Sequence, residues 1–250
     1  MREAHGDWNH DAVIRQEPRA ILFDLDDTIL DDGGAVARLW LEVSAAAARR
    51  LGVDAEALLA AIEEMRTWYW SDPERHRVGR QDLREATRGI VAEAFVAFGV
   101  DDPDLARWVA DEYRERRDSA LDIFPGAVET LERVRARGVR TALLTNGAAA
   151  PQRAKIDRFD LARHFDCIFI EGEFGRGKPD PDVYRAALAA VGKTAAETWM
   201  VGDNLEWDVA APQRLGIFGI WIDRDERGLP PASAVKPDRI IRHIGELLAG

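Results

Sequence analysis

Hydrophobic positions fall into two textures along the 250-residue chain. Ala20-Ile21-Leu22-Phe23 is a continuous apolar run that stops abruptly at Asp24-Leu25-Asp26-Asp27-Thr28, the pattern of a strand buried on both faces with a polar carboxyl end. From Gly34 to about Ala120 the chain is alanine-rich, apolar residues recur at helical spacing, and strand signals almost vanish. Helices are predicted near 35–51, 54–71, 81–98 and 103–120, divided by Gly52, Asp72-Pro73, Gly99 and Asp102-Pro103. Four such helices with short connections make a bundle. Beyond Phe124-Pro125-Gly126 the texture becomes an alternation: helix 127–137, strand 139–144, helix 149–160, strand 167–170, helix 181–191, strand 198–201, helix 205–215 and strand 217–222. Pro230-Pro231 and Pro237 mark a surface loop before a last short strand, Arg239-Ile240-Ile241, and a closing helix.

Alternation of this kind predicts right-handed βαβ units on a doubly wound parallel sheet, an α/β fold. The bundle is then an insertion after the first strand. The expected organisation is an N-terminal extension over 1–18, a core domain built from 19–33 and 121–250, and a helical cap domain over 34–120. A chain of this length, 46% hydrophobic, can bury one large core or a core plus a lid.

Composition narrows the partners. No segment approaches eighteen uninterrupted apolar residues, so no membrane span is expected. The first eighteen residues lack the apolar centre of a signal peptide, which makes a cytoplasmic protein the expectation. A net charge of −11 argues against a nucleic-acid partner and for a small substrate. The single cysteine, Cys167, can form no internal disulfide and reads as a small core residue.

Candidate chemistry gathers at strand ends. Asp24 and Asp26 arrive together at the carboxyl edge of the sheet, where open α/β folds bind ligands, and packed carboxylates of this kind suit Mg²⁺. An EF-hand loop does not fit: counting from Asp24, Ile29 stands where that loop needs glycine and Ala35 where it needs glutamate. Thr145-Asn146-Gly147 closes the strand Leu143-Leu144 and is either an anion cradle ahead of a helix or an ordinary turn. Gly177-Lys178-Pro179-Asp180-Pro181 carries a lysine suited to neutralising a phosphoryl group. Val201-Gly202-Asp203 ends another strand, and Asp208 follows one turn into the next helix, so Asp203 is placed to reach the same cation as Asp24. Four polar strand ends in this order make a joint signal.

In that order, Asp24-Leu25-Asp26-Asp27-Thr28, Leu143-Leu144-Thr145-Asn146-Gly147, Gly177-Lys178-Pro179-Asp180-Pro181 and Val201-Gly202-Asp203-Asn204-Leu205-Glu206-Trp207-Asp208 resemble the four motifs of the haloacid dehalogenase superfamily. The insertion sits between the first two motifs, the position of a helical C1 cap on that superfamily's Rossmann-like core. The resemblance implies a Mg²⁺-dependent phosphatase working through an aspartyl-phosphate: Asp24 as nucleophile and Asp26 as acid, then base. It further implies phosphoryl contacts from Thr145, Asn146, Gly147 and Lys178, with Lys178 and Thr145 counted among the catalytic groups. Metal ligation by Asp24, the backbone carbonyl of Asp26 and Asp203, oriented by Asp208, completes the set.

Rival chemistries are 2-haloacid dehalogenation, which needs neither Asp26 nor a metal, and a phosphomutase, whose members usually carry an apolar residue in place of Thr28. A nucleotide-binding protein is suggested by the Gly-x4-Gly-Lys spacing of Gly172 to Lys178, but Pro179 replaces the required hydroxyl residue. A scaffold role leaves the acidic constellation unused. The second half, notably Leu143-Leu144-Thr145-Asn146-Gly147 with Gln152-Arg153-Ala154-Lys155-Ile156 and then Val201 to Asp208, most resembles the N-acylneuraminate-9-phosphatase and pyrimidine 5′-nucleotidase branch, implying a small phosphorylated sugar or nucleotide as substrate and a monomer or homodimer. In the cap, Trp68-Tyr69-Trp70 should place at least one aromatic in a core, and Arg75, His76 and Arg77, read as a 72–80 loop, are the candidates for substrate specificity.

Overall fold

The computed structural model describes residues 17–248, so most of the expected extension over 1–18 lies outside the described residues. The chain opens with β1 (Ala20–Phe23) and a short β2 (Leu30–Asp31), then runs through α1 (Val36–Leu51), α2 (Ala55–Ser71), α3 (Pro73–Gly79), α4 (Leu83–Phe98) and α5 (Pro103–Ala120). It returns through β3 (Asp122–Ile123), α6 (Ala127–Ala136), β4 (Arg140–Thr145), α7 (Ala149–Arg158), β5 (Cys167–Ile170) and a single turn, α8 (Glu171–Phe174). It closes with α9 (Pro181–Val191), β6 (Thr198–Gly202), a short α10 (Ala211–Gln213), β7 (Phe218–Ile222) and β8 (Arg239–Ile241).

Six strands form one parallel sheet in the order β5-β4-β1-β6-β7-β8. All four residues of β1 are buried because neighbours flank it on both edges and helices cover both faces. Its side chains alternate between two cores as pleating requires: Ile21 and Phe23 join the cluster with Leu131 and Ile220, whereas Ala20 and Leu22 join the one with Tyr184 and Met200. Cys167 packs half-buried against the second cluster. The helical block has its own core, in which Trp40 and Tyr113 stack with ring centroids 3.8 Å apart. An antiparallel pair, Leu30 with Ile123 and Asp31 with Asp122, ties the two ends of that block together. Among the described residues no helix is long and apolar enough to cross a membrane.

Two elements depart from the sequence reading. The 72–80 segment is not a loop: Asp72 caps Arg75 N–H at 2.8 Å, Pro73 occupies the first turn, and α3 follows. The helix expected over 205–215 begins as a π-helical turn, Leu205–Ala210, capped by the Asn204 side chain on the N–H groups of Glu206 and Trp207. That wider turn tucks Asp208 fully inward, with no solvent exposure.

Candidate active site

The expected residues converge beyond the carboxyl ends of β1, β4 and β6, the three central strands. β1 ends at Phe23, so the next residue, Asp24, leaves the sheet at its centre; its N–H still donates to the Val201 carbonyl at 3.0 Å, which fixes the chain direction. Lys178, almost wholly buried, donates to Asp24 Oδ1 at 2.6 Å and to Asp208 Oδ1 at 2.7 Å. The other oxygen of Asp208 accepts the Asn204 N–H at 3.0 Å, and the Thr28 hydroxyl donates to Asp24 Oδ2 at 3.2 Å. Asp24, Lys178 and Asp208 are thus paired with one another, as burial demands.

Negative charge nevertheless exceeds positive. Burial, opposed by Lys178 and reinforced by Asp208, raises Asp24 to about 7. Desolvation by the surrounding walls and the charge of Asp24 raise Asp203 to about 8. Lys178 is held above the ordinary lysine value because Asp208 and Asp24 outweigh its burial. Asp24, Asp203 and Asp208 each offer one carboxylate oxygen, and these lie within 4.8 Å of one another. An excess of hard oxygen donors at this separation fits a divalent cation such as Mg²⁺.

Asp26 stands beside Asp24, gripped by α7: Lys155 Nζ donates to Oδ1 at 2.7 Å and the Gln152 amide to Oδ2 at 2.9 Å. Gln152, itself buried, also donates to Thr145 Oγ1, which leaves the Thr145 hydroxyl hydrogen available for donation into the site. The sequence marks Gln152 and Lys155 only as part of the segment that carries the branch resemblance and gives them no role in the site, although both lie one turn apart on the face of a helix that begins at a candidate anion cradle. Asp27 occupies the left-handed region with φ 58°, where glycine is favoured and aspartate tolerated, and its Oδ1 accepts the Gly33 N–H at 2.7 Å.

Two expected anion contacts are otherwise engaged. The Asn146 side chain clamps the backbone of Lys178, donating to its carbonyl and accepting its N–H, both at 2.7 Å. Gly147 N–H donates to Glu171 Oε2 at 2.9 Å. The Asn146 side chain thus positions Lys178, and the Gly147 N–H supports Glu171.

A cavity of about 780 Å³ opens from these residues toward the helical block. Arg80 crosses it to form a two-pronged pair with Glu171 at 2.6 and 2.7 Å and lies over the Trp207 ring, 5.4 Å from its centroid. His76 packs edge-on between Trp70 and Trp207. Of the three basic residues expected to set specificity, only His76 lines the cavity. Arg75 instead donates to the Tyr69 and Trp68 carbonyls, and Arg77 pairs on the surface with Glu74. None of Trp68, Tyr69 and Trp70 is fully buried. Trp68 lies exposed under the Arg75 guanidinium, while the other two pack half-buried against Gly79, which has no room for a side chain.

The family model of haloacid dehalogenase-like hydrolases matches residues 18–216. Phosphoserine phosphatase of Thermus thermophilus is 34% identical, the match covering 92% of this chain and 97% of the relative. N-acylneuraminate-9-phosphatase of Rattus norvegicus is 26% identical over 92% of each. Among solved structures, the HAD-hydrolase YfnB of Bacillus subtilis, bound to magnesium, shares the fold with a TM-score of 0.70 at 21% identity, covering 94% of this chain and 98% of that one.

Proposed function

The chain belongs to the haloacid dehalogenase-like hydrolases, and we propose that it hydrolyses a small phosphate monoester through a Mg²⁺-dependent aspartyl-phosphate, with the block over 34–120 as its cap. Phosphatase relatives that align over nearly the whole chain support hydrolysis of phosphate monoesters as the reaction. The observation that carries the finer reading is the buried Asp24–Lys178–Asp208 array with Asp203 and Asp26 beside it.

An Asp24 carboxylate oxygen attacks phosphorus, forming an acyl phosphate as the bond to the leaving oxygen breaks. Asp26, oriented by Lys155 and Gln152, delivers the proton that oxygen needs. Asp26 then takes a proton from water as it attacks the acyl phosphate, releasing inorganic phosphate and restoring Asp24. Lys178 and the Thr145 hydroxyl hold phosphoryl oxygens through charge and hydrogen bonding. Asp24, the Asp26 carbonyl and Asp203 would hold Mg²⁺, with Asp208 fixing Asn204 and Lys178 behind them. Mg²⁺ supplies neutralisation of phosphoryl charge.

Dehalogenation leaves the Asp26 and Asp203 carboxylates without a task, so phosphate transfer is the better fit. The test is phosphate release from an aryl phosphate with and without Mg²⁺, alongside a 2-haloacid. Turnover of the haloacid but not the phosphate would overturn the reading.

A further inference from the structure

The cavity wall nearest the helical block is cationic, against the trend of a chain with net charge −11. Arg80, Arg84, Arg114 and Arg117 face it from that block, and Lys155 from α7. Most of these charges are matched: Arg80 by Glu171, Arg84 by Asp111 and Lys155 by Asp26. Arg114 and Arg117, one turn apart on α5, are matched less well. Arg114 is only 9% exposed, yet the carboxylate it reaches at 3.2 Å, Asp118, is itself 58% exposed and so weakened by water. Arg117 gives one end nitrogen to Asp32, but its Nε is buried without a partner, and Asp32 is shared with Lys155 at 3.6 Å. Burial and the neighbouring Arg117 charge hold Arg114 below the ordinary arginine value. Arg117, despite its burial, is held above the ordinary arginine value by Asp32, so the shortage of negative charge falls on Arg114, while Arg117 beside it adds a spare donor.

We propose that the substrate carries a second anionic group, a carboxylate or a second phosphate, which Arg114 and Arg117 bind while the scissile phosphate sits at Asp24. The inference rests on the phosphatase reading above. Its geometry follows from a chain of contacts: Asp26, which serves the leaving oxygen, pairs with Lys155, Lys155 approaches Asp32, and Asp32 pairs with Arg117. Arg117 therefore stands on the leaving-group side, three ion-pair steps from the acid, with Arg114 one turn away on the same helix. Arg114 and Arg117 select the substrate and take no part in bond breaking.

The test compares kcat/KM for monoesters matched except for the second group: phosphoglycolate against 2-hydroxyethyl phosphate, 3-phosphoglycerate against glycerol 1-phosphate, and propane-1,3-diol bisphosphate against 3-hydroxypropyl phosphate. Wild type should prefer at least one member carrying the second anionic group by about tenfold or more, the worth of one charge-assisted contact, and which pair shows the preference separates carboxylate from phosphate. Arg114→Gln and Arg117→Gln should each cut that ratio about tenfold, carried by a higher KM for the acid, while Arg114→Lys keeps part of it. The ratio is read within one sample, so the folded fraction cancels. Aryl phosphate turnover without any preference in wild type would overturn this proposal alone. A preference surviving in both glutamine variants would overturn the assignment to these arginines. Absence of aryl phosphate turnover would overturn both readings together.

Discussion

The Arg80–Glu171 pair joins residues 91 positions apart across the cavity, and its exposure permits a quantitative expectation. The two side chains are 14% and 10% exposed, so the pair lies nearer to a buried ion pair than to a surface one. Deleting one partner of a fully buried pair costs roughly 3–5 kcal/mol and of an exposed pair roughly 0–1. Two charge-assisted hydrogen bonds at this exposure place Arg80→Met at about 2–3 kcal/mol, including its contact with the Trp207 ring. Glu171→Gln should cost somewhat less, since a neutral amide oxygen still accepts the Gly147 N–H. In the double variant no stranded charge remains, so its loss should fall short of the sum of the two single losses by about 1.5 kcal/mol. Urea denaturation of all four proteins, followed by tryptophan fluorescence and far-ultraviolet circular dichroism to detect separate unfolding of the helical block, supplies the cycle. Additivity within about 0.5 kcal/mol would refute the pairing as an energetic link between the two halves.

Asp24→Asn should abolish turnover while thermal unfolding stays cooperative, checked by phosphate release and calorimetry; undiminished turnover would remove Asp24 as nucleophile. Asp26→Asn should lose steady-state turnover yet bind Mg²⁺ as wild type does, whereas Asp203→Asn should need far more Mg²⁺, a contrast that calorimetric metal titration measures directly. Because burial raises Asp24 to about 7, and desolvation by the cavity walls with the charge of Asp24 raises Asp203 to about 8 although its side chain still reaches solvent, protons must leave before a cation binds. The Mg²⁺ concentration for half-maximal activity should therefore climb as pH falls through 8 and 7, by about tenfold per unit for each proton displaced, and a flat dependence would contradict it. Arg77→Ala, which removes an exposed surface pair with Glu74, should leave the thermal midpoint and KM unaltered, checked by calorimetry and a standard assay.

The groups at strand ends were legible in sequence because each follows an apolar run directly, so the sheet itself delivers Asp24, Thr145 and Asp203 to one edge. Lys178 and Asp208 joined them through ordered motifs. The grip of Gln152 and Lys155 on Asp26 is not legible in sequence because those bonds span 126 and 129 residues, and no local pattern encodes a meeting of that range. The same holds for Arg80 with Glu171 and for Arg114 and Arg117, which look like any helical arginines until the block folds back over the sheet. Local runs misled in the other direction: Arg75-His76-Arg77 stood out by composition, yet α3 turns Arg75 and Arg77 onto their own segment. The bonds that the Asn146 side chain and the Gly147 N–H make were hidden for a related reason, since their partners, Lys178 and Glu171, come from farther along the chain.

The short β2–β3 ribbon gives the molecule a hinge-like seam with a mechanical meaning. Leu30 and Asp31 leave the sheet side by side with the returning Asp122 and Ile123, so from the standpoint of the six strands everything between them is a closed loop with fixed ends. The entropy of closing a loop grows only logarithmically with its length, about 0.6 kcal/mol per doubling. The sheet is thus nearly indifferent to the size of what it carries on that seam. The helical block could be lengthened, exchanged or recut to admit another leaving group while β1, and with it the nucleophile, stays in register.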